Sequence, residues 1–361
     1  MNEKRIVLIA GVHGVSGIAA AEQWSEIPGT VVYGLSRRNA ALPEGVIPVQ
    51  LDLLNREDVT QKLGQIRGIS QVVFGAYIEK ASVVERSEVN VAILRNLLDV
   101  VESTSPRLER VVFYQGGKAY GADLGPFKTP AREDEPRLMG PNFYYDQEDF
   151  LRQRQAGKEW TWTALRPEAV CGFALGNPMN LAMVIAIYAV ISKELGLPLR
   201  YPGTIEGYQA LYQLTSAEIL GKASVWSGTS PQCSNEIFNI TNGDYFRWQY
   251  MWPKIAKMFQ METAEPVPIP LATYMADKAD LWNHIVERYR LVQHSYSEVV
   301  AWPFGDAIFN QGFDNITSTI KARRAGFDAC IDTEEMFQQF FQELRQRKVI
   351  PKLIDSGAFV G

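Results

Sequence analysis

The stretch LIAGVHGVSG, Leu8–Gly17, follows a short apolar run and places Gly11, Gly14 and Gly17 three residues apart. A turn needs only one glycine. Three at this spacing, behind an apolar strand and ahead of the helical pattern GIAAAEQWSEI (17–27), let the backbone approach a pyrophosphate and let a helix pack tightly on a strand. The pattern predicts a dinucleotide site opened by Gly11, His13, Gly14, Val15 and Gly17.

The chain keeps the same rhythm through its first half. RIVLIA (5–10), TVVYGLS (30–36), VIPVQLDL (46–53), SQVVFGAY (70–77), RVVFYQ (110–115) and TWTALRPEAV (161–170) read as strands, with NEIFNIT (235–241) as one more. SEVNVAILRNLLDVVES (87–103) reads as a helix with Val91, Leu94, Leu98 and Val101 on one stripe. Strand, helix, strand in this order predicts an α/β chain, a Rossmann-type doubly wound parallel sheet covered on both faces. Residues 173–212 and 243–361 differ, with helical pattern, tryptophan, tyrosine and proline breaks. They predict a smaller, mainly helical substrate lobe, leaving 1–172 and about 213–242 for the dinucleotide domain.

The totals exclude several classes. Net charge is −5 and no basic stretch stands out, which argues against a nucleic-acid partner. Three cysteines far apart do not make a disulfide framework and fit a reducing, cytoplasmic setting. Three scattered histidines offer no metal-ligand spacing. The basic start ahead of the first apolar run is too short for a signal peptide, and LAMVIAIYAVIS (181–192) is too short to cross a bilayer. That stretch reads as a buried helix.

The second strand ends in GLSRR (34–38). An NAD site wants an acid here for the ribose 2′-hydroxyl, whereas arginines accommodate a 2′-phosphate. Ser36, Arg37 and Arg38 therefore predict NADP(H); two solvated loop arginines are the plainer alternative. Asp52 suits the adenine amino group and Leu53 the adenine face, unless Asp52 is an ordinary loop aspartate. Ala76 and Tyr77, at the end of the fourth strand, complete the cofactor edge.

Short-chain dehydrogenases usually carry Tyr-x-x-x-Lys on a helix, where the cation lowers the phenol pKa. The matches here are Tyr114/Lys118, broken by Gly116 and Gly117, and Tyr274/Lys278, beyond the core sheet. Neither lies where that motif belongs. Two other stretches do: YQGGKAYGADLGPF (114–127) and PNFYYDQEDF (141–150). The second matches N-F-Y-Y-x-x-E-D in full, through Asn142, Phe143, Tyr144, Tyr145, Glu148 and Asp149. The first matches T-G-x-K-H-Y-x-G-P-F in part, through Gly117, Lys118, Tyr120, Gly125, Pro126 and Phe127. With RPEAVCGFALGNPMN (166–180) and NITNGDYFRWQYMW (239–252), the chain resembles the progesterone 5β-reductase/iridoid synthase-like (PRISE) group of atypical extended short-chain dehydrogenases.

That resemblance implies the catalytic pair Tyr144 and Lys118, with Tyr145 as the other phenol. It implies NADPH-dependent reduction of the activated C=C bond of a small apolar enone or enal, the enolate oxygen stabilised by the tyrosine. Carbonyl reduction with the same pair remains an alternative, as does an NADP(H)-binding regulator without turnover; an epimerase would want the usual Tyr-x-x-x-Lys. A homodimer is one assembly open to such a chain. Three departures fall beside the carbonyl-binding region: Gly116 for threonine, Ala119 for histidine, and the extra residues 121–123.

Gln115, Gly116, Pro167, Ala169 and Val170 are candidates for the nicotinamide end, although packing alone would explain the last three. Asn90 resembles an asparagine that orders the central helix, with a helix-surface role as the alternative. Phe127, Tyr145, Tyr201, Trp226 and Trp248 are candidates to line an apolar substrate pocket, against the commoner role of aromatics as core.

Overall fold

The computed structural model describes residues 4–353 and 359–360. Seven parallel strands form the central sheet: β1 (Arg5–Ala10), β2 (Thr30–Ser36), β3 (Val46–Gln50), β4 (Gln71–Phe74), β5 (Arg110–Tyr114), β6 (Thr161–Pro167) and β7 (Glu236–Ile240). Their order is β7-β6-β5-β4-β1-β2-β3. Val7, Leu8, Ile9 and Ala10 of β1 are fully buried, as a strand covered on both faces requires. Winding reverses at β1, which pairs with β2 on one side and β4 on the other. A crevice opens there at the carboxyl ends of the strands, the place where such sheets bind ligands.

Helices cover both faces. On one, α1 (Val15–Ser25) packs Ala20, Ala21 and Trp24 against Ile219, Leu220 and Ala223 of the helix Ala217–Thr229. On the other, α2 (Arg56–Leu63) and α3 (Val83–Thr104) bring Val59, Leu63, Leu94, Leu97, Leu98 and Val101 onto the sheet. α4 (Phe143–Gln155) lies beside α3. Asn55, Ser82 and Asn142 cap α2, α3 and α4 through side-chain oxygens, satisfying N–H groups that a helix start leaves unpaired.

A third core lies apart from the sheet. The helix Leu181–Glu194, apolar around its whole circumference, is its axis. Tyr201, Trp248, Trp252, Trp282, Phe309, Phe337 and Phe341 close around it. Among the described residues no helix is long and apolar enough to cross a membrane. The sequence pattern carries β3, β4 and β6 beyond their observed ends, to residues 53, 77 and 170. In each case the last residues leave the ladder and form the turns that line the crevice.

Candidate active site

The glycine turn is built to let something approach. Gly11 has φ +80°, and a Cβ there would lie 2.8 Å from the backbone of Gly75 and Ala76. A Cβ on Gly17 would lie 2.2 Å from the Gly11 carbonyl oxygen, so the helix cannot approach the strand with any larger residue. Gly14 caps α1 without a side-chain hydrogen bond. Its first-turn N–H groups, and the positive end of the helix dipole, face the crevice mouth unused. His13 Nε2 bonds the Ala40 carbonyl at 3.2 Å, while its Nδ1 is buried without a partner. A bare turn, an uncapped helix start and an orphaned ring nitrogen together fit a dinucleotide pyrophosphate.

The end of β2 supplies cations. Ser36 Oγ accepts from the Arg38 N–H at 2.9 Å and shapes the turn. Arg37 is exposed, with no side-chain partner among the described residues. Arg38 donates to the His13 carbonyl at 3.3 Å and to the Leu175 carbonyl at 3.2 Å. A guanidinium has five N–H donors, so several remain for an anion. Arg38 thereby ties the glycine turn to the segment after β6. Asp52 is partly engaged: its Oδ1 accepts from the Leu54 N–H at 3.0 Å. Leu53 departs from expectation, because its side chain packs into the core under α2 and α3 rather than into the crevice.

Past β4, Asn90 is fully buried rather than on a helix surface. Its side chain accepts from the Ile78 N–H at 2.9 Å and donates to the Ile78 and Arg86 carbonyls at 2.8 Å each. It thus fixes the segment carrying Ala76 and Tyr77 along the crevice. The Tyr77 hydroxyl bonds Glu79, and the ring stands 5.2 Å from that of Phe143.

The Lys118 and Tyr144 segments meet. Gly117–Tyr120 forms one tight turn, exposing Lys118 and burying Ala119 and Tyr120. Asn142 joins this turn to α4: its Nδ2 donates to the Lys118 carbonyl at 2.9 Å, and its Oδ1 accepts from the Tyr144 N–H at 3.0 Å. A Cβ on Gly116 would lie 3.2 Å from the Tyr144 hydroxyl and 3.3 Å from the Pro167 carbonyl oxygen. Any residue but glycine would crowd the phenol. The Tyr144 hydroxyl has no protein partner among the described residues. Burial pushes its pKa well above the usual phenol value, with Tyr77, Asp123 and Glu168 nearby adding to the effect. The phenol is therefore a proton-bearing donor at neutral pH. The lowering effect of a neighbouring cation, expected from the usual motif, is not the dominant one.

Several expected site residues turn out to be braces or core. Gln115 does not face the crevice. Its Nε2 donates to the Tyr144 carbonyl and to Glu148, both at 3.1 Å, and its Oε1 accepts from Arg166 at 2.6 Å. Glu148 is buried and also pairs with Arg137 and Arg152. Burial raises its carboxyl, but the Gln115 hydrogen bond, followed by Arg137 and Arg152, holds it below the usual range. Tyr145 points away from Tyr144, since neighbours on a helix diverge by about 100°. Its hydroxyl donates to the Ala119 carbonyl at 2.8 Å and accepts from the Leu138 N–H at 3.2 Å. Tyr201 and Trp248 lie in the helical core, 6.2 Å apart, and the Tyr201 hydroxyl donates to the Phe309 carbonyl at 3.0 Å. Trp226 packs against Phe238 and Phe327 beneath the sheet. Aromatic rings of this size gain more from packing on each other than from lining a cleft.

Phe127, among the predicted aromatics, borders an open cavity. The cavity measures about 320 Å³ and is bounded also by Gly121, Leu124, Pro126 and Leu138. Phe127 stacks on Tyr120 at 6.3 Å and meets Phe313 edge-on at 6.2 Å. Of the residues expected at a nicotinamide end, Pro167 is buried against Gly116, and the Ala169 carbonyl accepts from the Thr215 N–H at 3.2 Å. Val170 pairs with Thr215. Sequence reasoning passed over Asn142 as a bridge, although its place one residue before α4 marked it as a cap. It also passed over Glu168, inside the quoted RPEAV.

Comparison with known proteins sharpens this picture. Residues 49–351 match the model of the PRISE-like Rossmann-fold domain. A short chain dehydrogenase, gsfE, of Penicillium aethiopicum is 30% identical over 96% of this chain and 100% of its own length. The 3-oxo-Delta(4,5)-steroid 5-beta-reductase of Arabidopsis thaliana is 31% identical over 96% of this chain and 93% of its own. The (S)-8-oxocitronellyl enol synthase of Catharanthus roseus is 29% identical over 96% and 93%. Among solved structures, the UDP-glucose 4-epimerase of Thermotoga maritima superposes with a TM-score of 0.66 at 16% identity, over 94% of this chain and 99% of that one. At that identity the likeness concerns the fold alone.

Proposed function

Because this chain belongs to the PRISE-like Rossmann-fold family, we propose that it is an NADPH-dependent reductase of the activated C=C bond of small apolar enones and enals. The observation that carries the proposal is the Tyr144 hydroxyl: without a protein partner among the described residues, pushed up in pKa by burial, and standing over Gly116 beside the Lys118 turn. The relatives that span almost the whole chain include two named for a steroid 5-beta-reductase and an enol synthase.

A nicotinamide cofactor held there would provide the hydride for the β-carbon of the substrate. The chain's residues do the rest. The glycine turn and the start of α1 hold the pyrophosphate, and Arg37 and Arg38 hold the 2′-phosphate, which favours NADPH over NADH. Gly116 leaves room for the substrate carbonyl to reach the Tyr144 hydroxyl. As negative charge gathers on that oxygen, the neutral phenol donates a hydrogen bond to it; a phenolate could not. Lys118 binds the cofactor ribose from the turn that Asn142 fixes, and favours charge on the carbonyl oxygen. Phe127 and the cavity beside it, apolar apart from the Lys128–Glu135 pair, suit a substrate without a charged group. The three scattered, free cysteines support a reducing compartment.

The test is NADPH consumption on a panel of enones, enals, ketones and aldehydes, with products identified, in the wild type, Tyr144→Phe and Lys118→Ala. Saturated carbonyl products, lost in both variants, support the proposal. Alcohols from the same enones would move the reaction to the C=O bond. Tight NADPH binding without turnover on any member of the panel would favour a regulator.

A further inference from the structure

Glu168 is a buried carboxyl to which the proposed reaction assigns no task. It follows Pro167 at the end of β6 and is 6% exposed. Its backbone N–H is held by Thr215 Oγ1 at 3.0 Å. Both carboxyl oxygens lie against the Lys118 turn: a Cβ on Gly117 would be 3.1 Å from Oε2 and 3.2 Å from Oε1. Oε2 accepts from Asn315 Nδ2 at 3.1 Å. The two atoms left over, Glu168 Oε1 and Asn315 Oδ1, are both buried and both without a partner.

Two orphaned acceptors on a pair of planar groups already joined by one hydrogen bond are accounted for together by one proton; the Tyr212 phenol also interacts with the Asn315 side chain. As a carboxylate, Glu168 offers only acceptors, and Oε1 cannot bond an amide oxygen. Each orphan would then carry the full desolvation cost of an unpaired buried acceptor. One proton on Oε1 turns it into a donor and satisfies both atoms at once. We infer that Glu168 is held as the neutral acid and closes a two-bond ring with Asn315, Nδ2–H to Oε2 and Oε1–H to Oδ1, clamping the Lys118 turn to the segment that carries Asn315. The clamp makes Glu168 a positioning residue for Lys118.

The surroundings agree. Burial pushes the Glu168 carboxyl up to about 8, and the Asn315 hydrogen bond opposes this only in part. The titratable groups facing it are phenols, Tyr144 from α4 and Tyr212 from the strand pair Leu211–Tyr212 with Phe246–Arg247, and both are themselves pushed up by burial. Lys118 sits on the clamped turn but is exposed, and no cation figures among the groups that shift Glu168. The contact continues outward. Asn315 Nδ2 also reaches Gln311 Oε1 at 3.4 Å, and Gln311 Nε2 donates to the Ala122 carbonyl at 3.3 Å. One network thus joins β6, the Lys118 turn and the expanded loop at 121–123.

The test compares the wild type with Glu168→Gln, whose amide can close the same ring without a titratable proton. Infrared difference spectra at a pH of about 6 should show the carbonyl stretch of a protonated carboxyl, lost in the variant and fading in the wild type through a pH of about 8. The stability difference gives an independent sign. A carboxyl raised from 4.5 to about 8 on folding stabilises fully below about 4.5 and loses that contribution as pH rises to about 8. The wild type should therefore weaken relative to Glu168→Gln across that window, by up to about tenfold in the folding constant per pH unit, and level off above it. A carboxylate spectrum at a pH of about 6, or a difference that stays flat, would overturn the clamp. Should Glu168→Gln not fold, Asn315→Ser must shift the protonated-carboxyl band, and an unmoved band overturns the clamp equally. Neither readout uses a substrate, so the clamp and the reductase proposal fail separately.

Discussion

The carboxyl edge of the sheet and the helical half hold similar side chains but use them differently. At the sheet edge, polar atoms are left available: the Tyr144 hydroxyl, the His13 Nδ1, the Arg37 guanidinium and the first N–H groups of α1. In the helical half the aromatics turn inward: Tyr201, Trp248, Trp252 and Phe309 pack against one another, and of their polar atoms only the Trp248 Nε1 is left without a partner. The physical difference is backbone geometry. Parallel strands all end at one edge, so each following turn projects into the same crevice. Helices packed around an apolar axis have no such shared edge, and their large rings gain most by interlocking.

The largest effect should come from an attempt to break this contrast. If Trp248 is core, Trp248→Ala removes about 3–5 kcal/mol of stability, seen as a lower denaturant midpoint, while the folded fraction keeps its NADPH affinity. A change in substrate KM at unchanged stability would instead return Trp248 to the pocket. Tyr144→Phe should do the reverse. It loses about 10²–10³ in kcat, equal to about 2.7–4 kcal/mol of transition-state stabilisation, with stability and NADPH affinity near wild type. Because burial raises this phenol rather than lowering it, the kcat profile of the wild type should show no phenol ionisation in the neutral range.

Much of this contrast was legible in the sequence. The glycine spacing and the GLSRR stretch each lie at a strand end and the N-F-Y-Y stretch at a helix start, each in one short segment whose neighbours in sequence are its neighbours in space. What was not legible depended on direction or distance. Tyr144 and Tyr145 are adjacent and alike, and only the helix rotation separates donor from brace. Gln115 stands at a strand end as a cofactor contact should, yet its amide is taken by Tyr144, Glu148 and Arg166 from α4 and β6. Tyr201 and Trp226 have the composition of a pocket, but their partners lie far along the chain, at Phe309 and Phe327. No local pattern reports such pairings.

The cofactor end offers a smaller effect. Arg37→Ala and Arg38→Ala should each weaken NADPH binding by about 1.5–3 kcal/mol, the usual worth of a hydrogen bond to a charged group, and leave NADH binding little changed. The two variants should also differ from each other. Arg38 already holds the His13 and Leu175 carbonyls, so its loss should loosen the segment after β6 as well as the phosphate site. Arg37 has no such second task. Equal losses for both cofactors would mean that neither arginine meets a 2′-phosphate.

The smallest effect is the most discriminating, because it tests two neighbouring phenols against each other. Tyr145→Phe keeps the ring under the Arg137 guanidinium, 5.0 Å away, and deletes only the hydroxyl that joins the Ala119 carbonyl to the Leu138 N–H. Two neutral hydrogen bonds are lost, and the buried Ala119 carbonyl is left unpaired. About 1–2 kcal/mol of stability should go with them. The chemistry should survive, since the hydroxyl faces the back of the Lys118 turn rather than the crevice. A fall in kcat comparable to that of Tyr144→Phe, at unchanged stability, would exchange the roles of the two phenols. A modest loss of stability with kcat largely kept would fix Tyr145 as the brace, and would show that one helix start presents a donor on one side and anchors the lysine turn on the other.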